Sequence, residues 1–391
     1  MTPAARTQAA IELLDQIVAA ARDGGAAADT LIARGFAARR YAGSKDRRAV
    51  RDLVYRAIRS FGEPPRDGRA AMLALADADA ELAATFDGSG YGPPVIGSKE
   101  RRAVPGLAPA WLIDALEKSG IGGAEQAALL DRAPLDIRIN PIKADAQPIV
   151  IEGAEPVEGL ADALRLPADT AIEKLPEWDS GAIEVQDAGS QWVARACAAR
   201  PGMTVIDLCA GAGGKTLALA ADMAGEGRIV ACDTDRGRLS RLPPRAIRAG
   251  VAIAETILLD PGREIEALGD LTGRADVVLI DAPCSGTGTW RRNPEARWRL
   301  TPARLDRLVE TQARLLDLGA SLVRPGGMVV HVVCSLLDAE GADQAAAFLE
   351  RHPGWQAERP AIAGSPHGAG MRLTPASHST DGFFVATMRA P

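Results

Sequence analysis

Val205-Ile206-Asp207-Leu208-Cys209-Ala210-Gly211-Ala212-Gly213-Gly214-Lys215-Thr216 reads as a strand, a glycine-rich turn and the start of a helix. Glycine allows positive φ and lets the backbone approach a ligand closely. The amino end of the helix that follows offers free N–H groups to an anion. Alone, the turn is ambiguous. It lacks the G-x-G-x-x-G of a dinucleotide turn, and it misses the Walker spacing because Cys209 stands where the first glycine belongs. What lies downstream resolves the architecture. Apolar runs at 204–208, 228–232, 253–259, 276–280 and 327–333 alternate with helical stretches, the pattern of a doubly wound, mostly parallel α/β sheet. The runs at 371–374 and 383–388 are expected to add an antiparallel edge.

Acids mark the carboxyl ends of these strands: Asp233, Asp260 and Asp281 follow the second, third and fourth runs. In an open α/β sheet such positions face the ligand crevice. Asp233 is placed to hold ribose hydroxyls and Asp260 suits an adenine amino group. Three strand-end acids, with a glycine turn facing an amino-acid carboxylate, fit S-adenosylmethionine.

Two cysteines share that crevice. Cys284 ends Asp281-Ala282-Pro283-Cys284, and Cys334 follows the run 328–333. Two thiols at adjoining strand ends suggest covalent chemistry, since thiolates add and leave readily. By chemistry alone either could attack. Cys197 and Cys232 read as packing residues, and the backbone of Cys209 as part of the cofactor turn. His331, His352, His367 and His378 lack metal-ligand spacing, so no metal is expected.

A length of 391 residues suggests two or three domains. The first 125 or so look helical: Ile11, Leu14, Val18 and Ala21 share one face, as do Val50, Leu53, Val54, Ala57 and Ile58. Ser44-Lys45-Asp46 is the expected cap of the second of these helices. Residues 126–185 follow as a small segment with a strand-like run, Ile137-Arg138-Ile139-Asn140, and the catalytic domain is expected over 186–391. The net charge of −6 hides a division. Residues 34–59 hold nine basic and two acidic side chains, and residues 291–314 hold seven arginines against three acids, whereas acids gather between Ala144 and Glu184. Local basic stretches are compatible with a phosphate-contacting face. No apolar run approaches the roughly 18 residues of a membrane helix, the chain opens without a secretory signal, and the five cysteines lack paired spacing. A cytoplasmic protein with no membrane partner is expected.

The motifs resemble those of the RNA cytosine-C5 methyltransferases of the bacterial Sun/RsmB type. They run in order: Val185-Gln186-Asp187-Ala188-Gly189-Ser190-Gln191, the turn from Asp207 to Thr216, Asp281-Ala282-Pro283-Cys284-Ser285-Gly286-Thr287-Gly288, Arg291-Arg292-Asn293-Pro294 with Trp298, Cys334-Ser335, and Thr380-Asp381-Gly382-Phe383-Phe384. Upstream, 137–143 is similar to the opening of the family's small α/β subdomain, and 45–59 to its NusB-like, RNA-binding helical domain. The chain departs from the pattern at Val333, where threonine is usual, at Gly211-Ala212 in place of Ala-Pro, and at Leu259-Asp260 in place of Gly-Asp.

The resemblance implies transfer of a methyl group from S-adenosylmethionine to C5 of a cytosine in RNA, through a cysteine adduct at C6. It implies Cys334 as the nucleophile and Cys284 as an aid to product release, with Asp281 and Lys215 at the pyrimidine. The implied cofactor site is Cys209, Ala210, Gly211, Ala212, Gly213, Gly214, Lys215, Asp233, Arg238, Asp260 and Asp281. Arg291, Arg292 and Trp298 are expected to flank the RNA. Ribosomal RNA is the expected partner and the protein is expected to be a monomer. Transfer RNA, or a non-catalytic role in ribosome assembly, are the competing readings.

Overall fold

The computed structural model describes residues 1–143 and 149–391, so the acidic stretch from 144 begins outside the described residues. Two compact units form: Met1–Asp131 with Thr289–Thr301, and Arg132–Gly288 with Pro302–Pro391.

The first unit is helical: α1 (Pro3–Asp23), α2 (Ala28–Ala38), α3 (Ser44–Ser60), α4 (Gly68–Ala76), α5 (Ala80–Ala84), α6 (Ala110–Lys118) and α7 (Gly123–Ala128). The helix faces read from the sequence are the buried ones: Ile11, Leu14, Val18 and Ala21 of α1 meet Val50, Val54, Ala57 and Ile58 of α3 in one core. Each such aliphatic side chain contributes about 1.5–3 kcal/mol by leaving water. Thr2 caps α1 by accepting the Ala5 N–H at 3.2 Å. At α3, Ser44 is the first helical residue and the capping acceptor is Asp46, which takes the Gly43 N–H at 3.3 Å.

The sequence reading left 289–301 inside the catalytic domain, but these residues complete the helical unit. Trp298 joins its core. Arg297 is fully buried and donates to the carbonyls of Ile58 (2.7 Å) and Phe61 (3.0 Å), and Trp298 Nε1 also donates to Phe61 (2.8 Å). The last carbonyls of a helix have no partner within it. Here an arginine from a distant segment satisfies those at the end of α3.

The second unit holds two sheets. The smaller, β1 (Leu135–Ile139), β2 (Glu155–Val157), β3 (Leu160–Leu166) and β4 (Ile183–Val185), is antiparallel in the order β2-β3-β1-β4. After α8 (Pro176–Ser180) and α9 (Ala188–Ala196) comes the large sheet. Its strands are β5 (Thr204–Asp207), β6 (Arg228–Asp233), β7 (Ala254–Leu258), β8 (Ala275–Asp281), β9 (Val323–Val333), β10 (Gln356–Glu358), β11 (Ser365–His367), β12 (Gly370–Leu373) and β13 (Phe383–Arg389). Its main helices are α10 (Gly214–Asp222), α11 (Arg236–Leu239), α12 (Leu242–Ala249), α13 (Glu264–Leu268), α14 (Pro302–Leu322) and α15 (Ala342–Arg351). Among the described residues the order is β11-β12-β13-β9-β8-β5-β6-β7, with β10 on β13. β5 to β9 are parallel and β10 to β13 antiparallel, as expected.

The apolar runs are continuous because both faces of the sheet are covered. Val205, Val277, Leu279 and Val330 enter one core, while their neighbours Ile206, Val278, Ile280 and Val329 enter the other. Chain order reverses between β5 and β8, and the crevice outside such a reversal is where open α/β sheets bind ligands. No helix among the described residues is long and apolar enough to cross a membrane.

Candidate active site

The glycine turn leaves β5 directly above this reversal. Ala210 N donates to Cys232 O at 2.7 Å and Gly211 N to Asp233 Oδ2 at 2.7 Å, which ties the turn to the end of β6. Asp233 Oδ1 also accepts the Asp235 N–H at 2.7 Å, so its carboxylate is fixed by two backbone donors. Gly211 and Gly213 have φ of 56° and 83°, the left-handed region that glycine tolerates. A Cβ on Gly211 would also collide with the Arg238 guanidinium, which lies over the turn. At Gly214, the first residue of α10, a Cβ would meet nothing within 4 Å. Space is thus open beside the first residue of α10, where a carboxylate-bearing cofactor would need room. The donor set agrees, with the helix end for an anion and Asp233 for hydroxyls. Asp260 lies two residues beyond β7, its side chain 70% exposed and 3.9 Å from Arg263.

Beneath the turn, Asp207 is fully buried and accepts the Thr216 hydroxyl at 2.7 Å through Oδ2, while Oδ1 has no partner. Burial raises its carboxyl to about 7, against the Thr216 bond. Lys215, one residue into α10, reaches Asp281 Oδ2 at 2.7 Å and stands 5.7 Å from the centre of the Phe383 ring. Burial works against the ammonium, but the charge and hydrogen bond of Asp281 outweigh it and hold Lys215 above its ordinary value. The lysine therefore stays charged at neutral pH.

The two cysteines meet. Cys284 Sγ and Cys334 Sγ are 3.3 Å apart, one past β8 and the other past β9. Gly288 N donates to Cys334 O at 3.0 Å and Gly382 N to Gly288 O at 2.8 Å, so the loop after Cys284 lies between the Cys334 loop and the segment before β13. The Cys284 thiol is pushed well above the usual range, first by its hydrogen bond with Cys334, then by burial and by the charges of Cys334, Glu340 and Asp281.

The structure therefore draws Cys334, Cys284, Asp281 and Lys215 to one strand-end cluster, with the glycine turn after β5 and Asp233 of β6 alongside. Arg291 and Trp298 belong to the helical unit, where each is only 6% exposed and Trp298 is part of the core. Arg292 is half-buried. The sequence reading quoted Asp187 and Phe383 within motifs without giving them a role, and it did not single out Glu340. Asp187 caps α9 through the Gly189 N–H (2.8 Å) and receives the Asp381 N–H (3.2 Å). Glu340 is fully buried behind the cysteine loops. The repeated pair Cys284-Ser285 and Cys334-Ser335 was the available signal, since both serines lead to Glu340.

Comparison with known proteins agrees with this architecture. A protein of Synechocystis sp. named probable ribosomal RNA small subunit methyltransferase B is 38% identical over 72% of this chain, a match spanning 66% of its own length, just under two thirds. The ribosomal RNA small subunit methyltransferase B of Xanthomonas campestris pv. campestris is 31% identical over 88% of this chain and 85% of its own. Among solved structures, a methyltransferase homolog from Pyrococcus horikoshii superposes with a TM-score of 0.58 at 26% identity, covering 73% of this chain and 100% of its own. The crystal structure of PH0851 covers 98% of both chains with a TM-score of 0.77 at 25% identity. Residues 194–389 match the family described as 16S rRNA methyltransferase RsmB/F, and with these relatives they establish that the chain belongs to that family.

Proposed function

We propose that the protein transfers a methyl group from S-adenosylmethionine to C5 of a cytosine in 16S ribosomal RNA, with Cys334 as the nucleophile. The observation that carries this reading is the 3.3 Å thiol pair at the ends of β8 and β9, beside the Lys215–Asp281 ion pair.

C5 of cytosine is a poor nucleophile. Addition of the Cys334 thiolate to C6 forms a C–S bond and moves the ring's electron pair toward N3 and C5, so that C5 becomes enamine-like. Charge arriving at N3 needs a hydrogen-bond or proton donor. Asp281 and the Lys215 ammonium it holds stand at that position, with the ammonium as the donor. Asp233, the 209–214 turn and the amino end of α10 hold the cofactor, which supplies the methyl group when bound. Departure of the C5 proton and then of the Cys334 sulfur restores the aromatic ring. The largest cause of the raised Cys284 value is its bond to Cys334. Cys284 lies beside that sulfur, where it is placed to assist release of the product from the adduct. The reaction requires an unstacked cytosine. In the helical unit, Lys45, Arg48 and Arg51 of α3 are exposed and make a face for RNA phosphates.

The test is methyl transfer from tritiated cofactor to unmethylated 16S ribosomal RNA, to small subunits and to transfer RNA, followed by digestion to nucleosides. Label in 5-methylcytidine from ribosomal substrates is expected. Label confined to transfer RNA would move the substrate, label in another nucleoside would overturn the C5 chemistry, and no label would favour a binding factor.

A further inference from the structure

Behind the two thiols lies a buried polar cluster that the proposed chemistry does not use. Its centre is Glu340, fully buried on the short turn between β9 and α15. Its Oε1 accepts the Ser285 N–H at 2.8 Å and the Gln312 amide at 3.1 Å, and its Oε2 accepts the Ser285 hydroxyl. Ser285 Oγ is hydrogen-bonded to Ser335 Oγ at 3.0 Å, which also takes the Leu337 N–H at 3.1 Å and meets Thr287 Oγ1 at 3.1 Å. Thr287 Oγ1 accepts the Leu336 N–H at 2.9 Å. The same Gln312 amide donates to Pro283 O at 2.9 Å. His331, inside β9, donates from Nε2 to Glu340 O at 3.0 Å, and burial holds it near 4, so it is neutral at physiological pH.

The connectivity is what matters. Ser285 directly follows Cys284, and Ser335 directly follows Cys334. One carboxylate thus grips the first loop by its backbone and hydroxyl, and reaches the second through a serine–serine bond. A buried carboxylate is costly unless its lone pairs are filled. Here three donors fill them, and each belongs to a segment that fixes a cysteine. The ladder between β8 and β9 ends before either cysteine, so the sulfur contact depends on the loops, where the Glu340 grip stands beside the Gly288 N–H to Cys334 O and Leu336 N–H to Thr287 Oγ1 bonds.

We infer that Glu340 is a positioning residue that clasps the Cys284 and Cys334 loops and sets the separation of the two sulfurs. The inference rests on the reading of Cys334 as nucleophile only for its effect on turnover. The clasp itself is independent of that reading. A misplaced nucleophile loses rate steeply, on the order of 10²-fold for an ångström.

The test uses the full-length protein and pairs two measurements. One is the rate at which diamide, a two-electron oxidant, joins Cys284 and Cys334 as a disulfide, followed by mass spectrometry of the linked peptides. The other is methyl transfer at saturating cofactor. Glu340→Ala should slow both by about tenfold or more, with the KM for RNA within about twofold. Glu340→Gln keeps an acceptor for the Ser285 N–H and a partner for its hydroxyl, and should restore both to within about threefold of the parent. Ser335→Ala, which cuts the bridge without touching either sulfur, should follow Glu340→Ala, and it carries the test if Glu340→Ala does not fold. Unchanged disulfide formation in Glu340→Ala or Ser335→Ala would overturn the inference. So would slowed disulfide formation with normal turnover, or a Gln variant as impaired as the Ala one. If the parent protein transfers no methyl group at all, the functional reading fails, and the disulfide rates still decide the clasp.

Discussion

Arg297 in the helical unit and Asp207 in the catalytic unit are both completely buried ionisable groups, and the two units treat them in opposite ways. The guanidinium of Arg297 gives its two terminal nitrogens to the carbonyls of Ile58, Phe61 and Pro294, while its Nε has no partner. Burial lowers it to about 9, and it still carries its charge at neutral pH. Asp207 has one hydroxyl donor and one oxygen without a partner, and burial brings it to about 7. The first arrangement is a cap that joins a distant segment to α3. The second is an acid on the edge of ionisation below a cofactor turn. Several acceptors keep Arg297 charged at a helix end, whereas Asp207, with a single donor, is held near the point of ionisation.

Three substitutions sharpen this contrast. Arg297→Ala strips the donor from at least two buried carbonyls, at about 1–3 kcal/mol each, so a loss of about 2–6 kcal/mol is expected in urea unfolding of the helical unit. A loss below about 1 kcal/mol would show that the guanidinium is not the cap it resembles.

Asp207→Asn keeps an acceptor for Thr216 and removes the titration. In the parent protein the folded state holds this proton more tightly than the unfolded chain, whose carboxyl titrates near 4. The resulting stabilisation is complete below about pH 4 and is lost as pH rises to about 7, on the order of 2–4 kcal/mol. Unfolding measured at pH 5 and pH 8 should therefore show the asparagine variant gaining on the parent as pH rises. Parallel pH profiles would contradict the shift. The smallest effect belongs to Arg51→Ala on the exposed face of α3, which should change stability by less than about 0.5 kcal/mol and thereby serve as the control for Arg297.

Much of the catalytic unit was legible in the sequence. Strands buried on both faces are uninterrupted apolar runs, and the glycine turn, ambiguous alone, is narrowed by the strand-end acids that follow it. The strand-end positions of Cys284 and Cys334, read fifty residues apart, become a sulfur contact because β8 and β9 are parallel neighbours. The destination of residues 289–301 was not legible. They follow the Cys284 motif without a break, and arginines beside a tryptophan look the same on a page whether they face a nucleic acid or a hydrophobic core. Only tertiary contacts show that Arg297 and Trp298 are buried in the helical unit. Glu340 was hidden for a similar reason. Asp338 is two residues away, and what distinguishes Glu340 is burial against Ser285, a residue fifty-five positions earlier.

The unequal division of labour between the two sulfurs is tested most directly by trapping. RNA carrying 5-fluorocytosine cannot lose a proton from C5, so the protein–RNA adduct should accumulate in the presence of cofactor. Mass spectrometry of the digested adduct should find the base on Cys334. Cys334→Ala should give neither adduct nor methyl transfer. Cys284→Ala should still form the adduct with unmodified RNA and release it slowly. A base found on Cys284, or an adduct that survives Cys334→Ala, would contradict the assignment.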